Sequence, residues 1–220
     1  MRKGSFGIAH FLLQFLIACL GLGVVLAEQV TVPPRDILQS YQDVLLGKRS
    51  YLQCNYYDDI YHETYIPSDI LEWYGFEFEL PLRFVEFTVT DLDADGFPDL
   101  ILRLSEDFGF ELLRYENGQV YGFPFVSRAM EEITTSGDIH GSSGADDFGW
   151  YQVRFYTEKM ETFETCWKHA AENGRYQYVI CNEEVSESDF TEFCDGLWRK
   201  DHVCWVEYTP ENLNALIPDY

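Results

Sequence analysis

Apolar residues recur at helical spacing near the start of the chain. In "PPRDILQSYQDVLLGK", residues Ile37, Leu38, Tyr41, Val44 and Leu45 share one face at 3.6 residues per turn. Pro33 and Pro34 precede that face and Gly47 can close it, so an N-terminal helix is expected. From Ser50 to Asp69 the chain is acidic and Tyr-rich, with "YYDDIYHETY" at its centre, and reads as a loop or a short hairpin. The period then falls to two. "FVEFTVTDL" and "DLILRL" read as strands on either side of an aspartate-rich turn. "FELLRY" and "VYGFPFV" read as a hairpin about Asn117-Gly118, a dipeptide that accepts the positive φ angles of a two-residue turn. Further strand candidates lie at Met130 to Ile133, Asp138 to His140, "WYQVRFY", "ETFETCW" and "RYQYVIC". Turn signals at intervals of about eight to twelve residues favour an antiparallel meander over a parallel sheet.

Helical spacing returns in "SESDFTEFCDGLW", where Ser186 is the expected N-cap, Asp189 follows three later, and Phe190, Phe193, Cys194, Leu197 and Trp198 form the apolar side. "VCWVEYT" reads as one more strand. "TPENLNALIP" has Thr209 as cap, Pro210 at the first helical position and Pro218 as a stop. The sum is an α+β domain: an antiparallel β-meander with an N-terminal helix, C-terminal helices and an acidic loop between two adjacent strands.

The first 27 residues stand apart from this pattern. Arg2 and Lys3 precede an apolar run that ends in Val25-Leu26-Ala27, the arrangement of a signal peptide cleaved after Ala27, which leaves residues 28–220 as a single extracytoplasmic domain. Two other readings concern the same segment. "LIAC", Leu16 to Cys19, fits a lipobox with Cys19 as the lipidated residue, and Ile8 to Leu26 is long enough for an uncleaved anchor. Membrane attachment is expected only through this segment or a lipid on Cys19.

Composition narrows the function. The 220 residues carry a formal charge of −23, and removing Arg2 and Lys3 takes it to −25 because residues 1–27 contain no acid. Such a surface repels nucleic acid and attracts cations, so no nucleic-acid partner is expected. Hydrophobic residues at 46%, with 17% aromatic, are ample for a folded core.

The acidic loop carries the most specific chemistry. With Asp91 as first position, Asp93, Asp95 and Asp99 occupy the third, fifth and ninth, Gly96 the sixth, and Phe97 the seventh, where a backbone carbonyl commonly serves as ligand. All are hard oxygen donors, which suit Ca2+. The twelfth position, a bidentate Glu in an EF-hand, is Leu102 within an apolar run, so a helix-loop-helix EF-hand is excluded. The expected metal ligands are Asp91, Asp93, Asp95, Phe97 and Asp99, with the ion in a structural role.

The pattern D-x-D-x-D-G-x-x-D resembles the calcium loops of FG-GAP and related repeats, which join two strands and let the ninth-position acid reach the ion. Together with "LLRYENGQVYGF", "SGDIHGSSGADDFGWYQVRFY" and the capped C-terminal helices, it resembles a group of secreted, often lipid-anchored bacterial proteins carrying D-D-D-G-x-P-E-L, in which Asp99 replaces the usual Glu. That resemblance implies an ion site and a secreted or cell-surface location.

Other candidate chemistry is weaker. Five cysteines follow the leader, an odd number with no framework spacing, and Cys194 on its apolar helix face reads as a buried free thiol. Cys166-x-x-His169 and His202-x-Cys204 lack the paired spacing of strong zinc sites. "IHGSSGADD" gathers His140, Ser142, Ser143, Asp146 and Asp147, but G-S-S-G is one residue short of a nucleophile elbow. Trp73, Tyr74, Trp150, Tyr151, Trp198 and Trp205 are available to stack on sugars, although a sheet core also consumes such residues. The expectation is a secreted or surface-attached calcium-binding interaction module, without catalytic residues, whose partners beyond calcium are a cell-surface glycan or protein. An extracellular carbohydrate-active enzyme or carbohydrate-binding protein is the alternative.

Overall fold

A computed structural model describes residues 35–54, 63–79, 81–171 and 174–217, with backbone alone at 63–64 and 73–78. The leader with Cys19 and Ala27, most of "YYDDIYHETY", the Trp73 and Tyr74 side chains and Pro218 lie outside that description. The fold is α+β, built mainly of two sheets with a few helices. No helix among the described residues is long and apolar enough to cross a membrane.

In chain order the helices are α1 (Arg35–Leu45), α2 (Pro67–Phe78), α3 (Glu187–Trp198) and α4 (Pro210–Asn214). The strands of the first half are β1 (Tyr51–Gln53), β2 (Glu63–Tyr65), β3 (Phe84–Thr90), β4 (Asp99–Leu104), β5 (Gly109–Glu116) and β6 (Gln119–Val126). Those of the second are β7 (Glu132–Ile133), β8 (Ile139–Gly144), β9 (Asp147–Tyr156), β10 (Lys159–Ala170), β11 (Tyr176–Ile180), β12 (Glu183–Glu184) and β13 (Val206–Glu207).

The first sheet has the order β13-β3-β4-β5-β6-β1-β2 and the second β12-β11-β10-β9-β8-β7. Pairing is antiparallel throughout except between β1 and β6, which run parallel with Leu52 opposite Tyr121. The stretch after Ser50 that lacks a clear period thus supplies β1, then β2 at the edge of the sheet, and then α2. This helix escapes periodicity because apolar residues encircle "PSDILEWYGFEF" instead of forming a stripe; Pro67 at its start and Asp69 in its first turn are the signals that mark it.

The layers follow from which residues share a face. Ile37, Leu38, Tyr41, Val44 and Leu45 of α1 are buried, as the helical spacing predicts, against Leu100, Leu102, Leu104, Leu113 and Val120 on one side of the first sheet. The opposite side of that sheet presents Ile101, Phe110, Leu112, Phe123 and Phe125 to Ile139, Tyr151, Val153 and Phe155 of the second. Buried on both faces, β4 reads as the near-continuous apolar run "DLILRL". The far side of the second sheet packs Trp150 and Cys166 under Phe190 and Leu197 of α3. Helix, sheet, sheet and helix therefore stack in turn.

Both C-terminal helices are capped as their sequences predict. Ser186 accepts the Asp189 N–H at 3.2 Å and Thr209 accepts that of Asn212 at 3.2 Å. The strand expected over "VCWVEYT" is shorter, because only Val206 and Glu207 pair with β3. The preceding residues bond elsewhere: Val203 N–H donates to Ile133 and Thr134 bridges to His202.

Candidate metal centre

The acidic loop joins β3 to β4 at the rim of the core between the two sheets. Thr90 and Asp99 pair across its base, so the register of the β3–β4 hairpin fixes both ends. Gly96 turns it with φ +89°, a conformation that strains any side chain, and Ala94 also has positive φ at +56°. A second contact holds the loop from outside. The turn between β7 and β8 comes so close that a Cβ on Gly137 would lie 2.2 Å from the Leu92 carbonyl oxygen.

Within the loop the carboxylates collect backbone donors. Asp91 accepts the N–H of Asp95 at 3.1 Å and of Gly96 at 2.8 Å, while Asp95 accepts that of Phe97 at 2.9 Å. Asp99 is fully buried and accepts the Leu92 N–H at 3.0 Å. Asp93 accepts the Phe155 N–H of β9 at 3.4 Å. The loop thereby touches both sheets.

One carboxylate oxygen each from Asp91, Asp93 and Asp99 lies within 4.8 Å of the other two. Asp95 is turned elsewhere: its Oδ2 lies 2.5 Å from Nη2 of Arg114. Arg114 Nη1 also reaches Asp93 at 3.4 Å and Asp99 at 3.3 Å, and the guanidinium lies 4.5 Å from the centroid of the Phe155 ring. Of the five residues expected as ligands, the fold brings the carboxylates of Asp91, Asp93 and Asp99 to one point and leaves Asp95 outside it, while Asp93, Asp95 and Asp99 all meet Arg114. Phe97 has a half-exposed ring at the loop's outer edge.

Arg114 has no place in the loop motif. It lies on β5, in the run "FELLRY", where Phe110 and Leu112 face the core between the sheets and a period of two brings Arg114 to the same face. A buried charge in an apolar strand position is the signal that marks it, because such a group requires carboxylate partners.

The electrostatics show how incomplete its compensation is. Burial pushes the Asp99 carboxyl well above the ordinary carboxylate range; Arg114 and the Leu92 N–H pull it down, and Asp93 and Asp95 push it up again. Asp93 is raised in the same way, chiefly by burial. Burial also opposes the Arg114 charge, but Asp99, Asp95 and Asp93 outweigh it and hold the guanidinium protonated. Arg114 meets three carboxylates, those of Asp93, Asp95 and Asp99, and Asp91 stands beside them; with all four ionised the formal charge of the group is −3, which a divalent cation would reduce to −1.

Three hard oxygen donors this close could hold a metal ion, since two oxygens sharing an ion at 2.3–2.6 Å stand no more than about 5.2 Å apart. All three donors are hard carboxylates, one buried and two half-buried.

The other candidate chemistry assembles differently. His140 Nδ1 lies 3.0 Å from Glu131, and the Ser142 hydroxyl donates to the same carboxylate at 2.7 Å, so both residues serve a strand-edge acid. Gly141 and Ser142 belong to β8 itself, not to a strand-turn-helix elbow. Cys166 faces Cys194, with sulfurs 3.4 Å apart, instead of converging with His169 on a zinc site. Trp150 and Tyr151 are buried and Trp205 stacks on Arg103 at 4.3 Å, which leaves Trp198 exposed among the four described residues of that aromatic set. No family model, curated protein or solved structure matches the chain.

Proposed function

We propose that this is a secreted or surface-attached calcium-binding protein, a non-catalytic interaction module in which the ion braces the β3–β4 loop. The observation that carries the reading is the convergence of Asp91, Asp93 and Asp99 on one point while a negative surplus remains after Arg114 is counted. Asp91, Asp93 and Asp99 would hold the ion through their carboxylates, and Phe97 and Asp95 border it. An ion there offsets repulsion among acids that the fold otherwise confines, and it links the loop to both sheets through Asp93 and Asp99. The leader-like residues 1–27 support an extracytoplasmic setting. The burial of Trp150 and Tyr151 weighs against a sugar-stacking platform.

Titration calorimetry on the full chain, stripped with chelator, tests the reading. Calcium is expected to bind the native chain and not Asp91→Asn with Asp93→Asn. At a hundredfold excess over Kd it should add about 2.7 kcal/mol of stability. Equal melting temperatures in calcium and in chelator would overturn the proposal.

A further inference from the structure

We propose that Cys166 and Cys194 form a disulfide that fastens α3 to the outer face of the second sheet. The two sulfurs lie 3.4 Å apart, although 28 residues separate them in sequence. A disulfide needs about 2.05 Å between sulfurs, so the two must close by about 1.4 Å to bond.

The local fold aims the two groups at each other. A register shift in the pairing of β9 with β10 falls between Glu164 and Cys166, after which Cys166 stands opposite Trp150. Such bulges re-aim a side chain, and here Cys166 is buried on the face that α3 covers. Phe190 and Leu197 of α3 pack beside it and hold the helix in register. Cys194 lies between them in sequence and is only half-buried. Cys54 is buried in the other interface, between the sheets, and Cys181 and Cys204 are exposed. Pairing of Cys166 with Cys194 therefore leaves three thiols over, in keeping with the odd count.

Accessibility gives the chemistry a direction. Cys194 as thiolate attacks a small-molecule or protein disulfide; one sulfur–sulfur bond breaks, a thiolate leaves, and a mixed disulfide remains on Cys194. Cys166, having given its proton to solvent, attacks the Cys194 sulfur and expels the second thiolate. Two thiols are oxidised, the incoming disulfide takes up two electrons and two protons, and the balance closes. The half-buried position of Cys194, against the fully buried Cys166, favours this order. An extracytoplasmic compartment supplies oxidants of this class.

The cross-link does not depend on calcium, so its test is run in chelator. The full chain, first reduced, is incubated with oxidised glutathione, alkylated, digested without reductant and mapped by mass spectrometry. A peptide joined at Cys166 and Cys194 is expected. Its formation should raise Tm by about 7–14 °C, the range for closing a loop of this length in a domain of this size. That gain should vanish in Cys194→Ala, and in Cys166→Ser if that variant folds. A glutathione adduct persisting on Cys194, a linkage through Cys181 or Cys204, or full alkylation of Cys194 after oxidation would each overturn the proposal.

Discussion

Arg114 changes the meaning of the aspartate-rich loop at the scale of a single residue. Four carboxylates within nine positions require positive charge, and the fold supplies part of it from a strand that the motif does not include. Substituting Arg114→Met should cost about 3–5 kcal/mol in chelator, measured by urea unfolding, because it leaves the buried Asp99 without its cation. Calcium should then stabilise the variant more than the native chain, since it becomes the main counter-charge; equal calcium gains would show that ion and arginine act separately. The loop itself was legible in sequence because spacing, glycine and hard donors all lie within nine residues. Arg114 was not, since its placement depends on the pairing of β4 with β5, where Leu100 faces Leu113, and no local pattern records that register.

Among the elements, α1 was fully readable and yet contains a role that periodicity does not convey. Its stripe marks Tyr41 as a core residue, and the ring is indeed fully buried. The hydroxyl, however, donates to the Pro98 carbonyl at 2.8 Å and accepts the Tyr115 N–H at 2.9 Å, so one side chain ties the helix to the end of the acidic loop and to β5. Burial, and after it the nearby Asp99, keeps this phenol protonated far above its ordinary range. Tyr41→Phe preserves the packing while leaving a buried acceptor and a buried donor unmatched. A loss of about 1–3 kcal/mol is expected in denaturant unfolding, and an unchanged midpoint would show that water takes the place of the hydroxyl. α2 was missed for the opposite reason: its apolar residues have no stripe, and helical period is informative only where one side meets water.

Across the whole molecule, a second internal ion pair joins distant parts of the chain. Asp138 begins the approach to β8, is almost wholly buried, and receives Lys200 Nζ at 2.6 Å, the Ser136 hydroxyl at 2.9 Å and Gln152 Nε2 at 2.9 Å. Burial by itself would raise this carboxyl, but the hydrogen bonds from Lys200, Ser136 and Gln152 hold it below the usual range. A carboxyl lowered on folding adds stability above its unfolded pKa and loses it as pH falls through the lowered value. Lys200→Met removes the chief partner, so burial prevails. Melting curves between pH 7 and pH 3 should show the variant less stable at neutrality, with the deficit narrowing as acid protonates Asp138, because a carboxyl raised on folding binds its proton more tightly in the folded state; a deficit that stays constant across that range would exclude this linkage. Lys200 stands two residues past the end of α3, and the return of residues 201–203 along β7 brings it to Asp138.

That return carries the chain to β13, where Val206 pairs with Phe87 across 119 positions. The outer edge of β3 thus stays open until everything from β4 to α3 has been made, and then it is covered by a strand of two residues. For a chain that emerges in order from its N-terminus, the first sheet is a template left unfinished through most of synthesis. Until that short closing segment docks, an unpaired strand edge stays exposed to neighbouring chains.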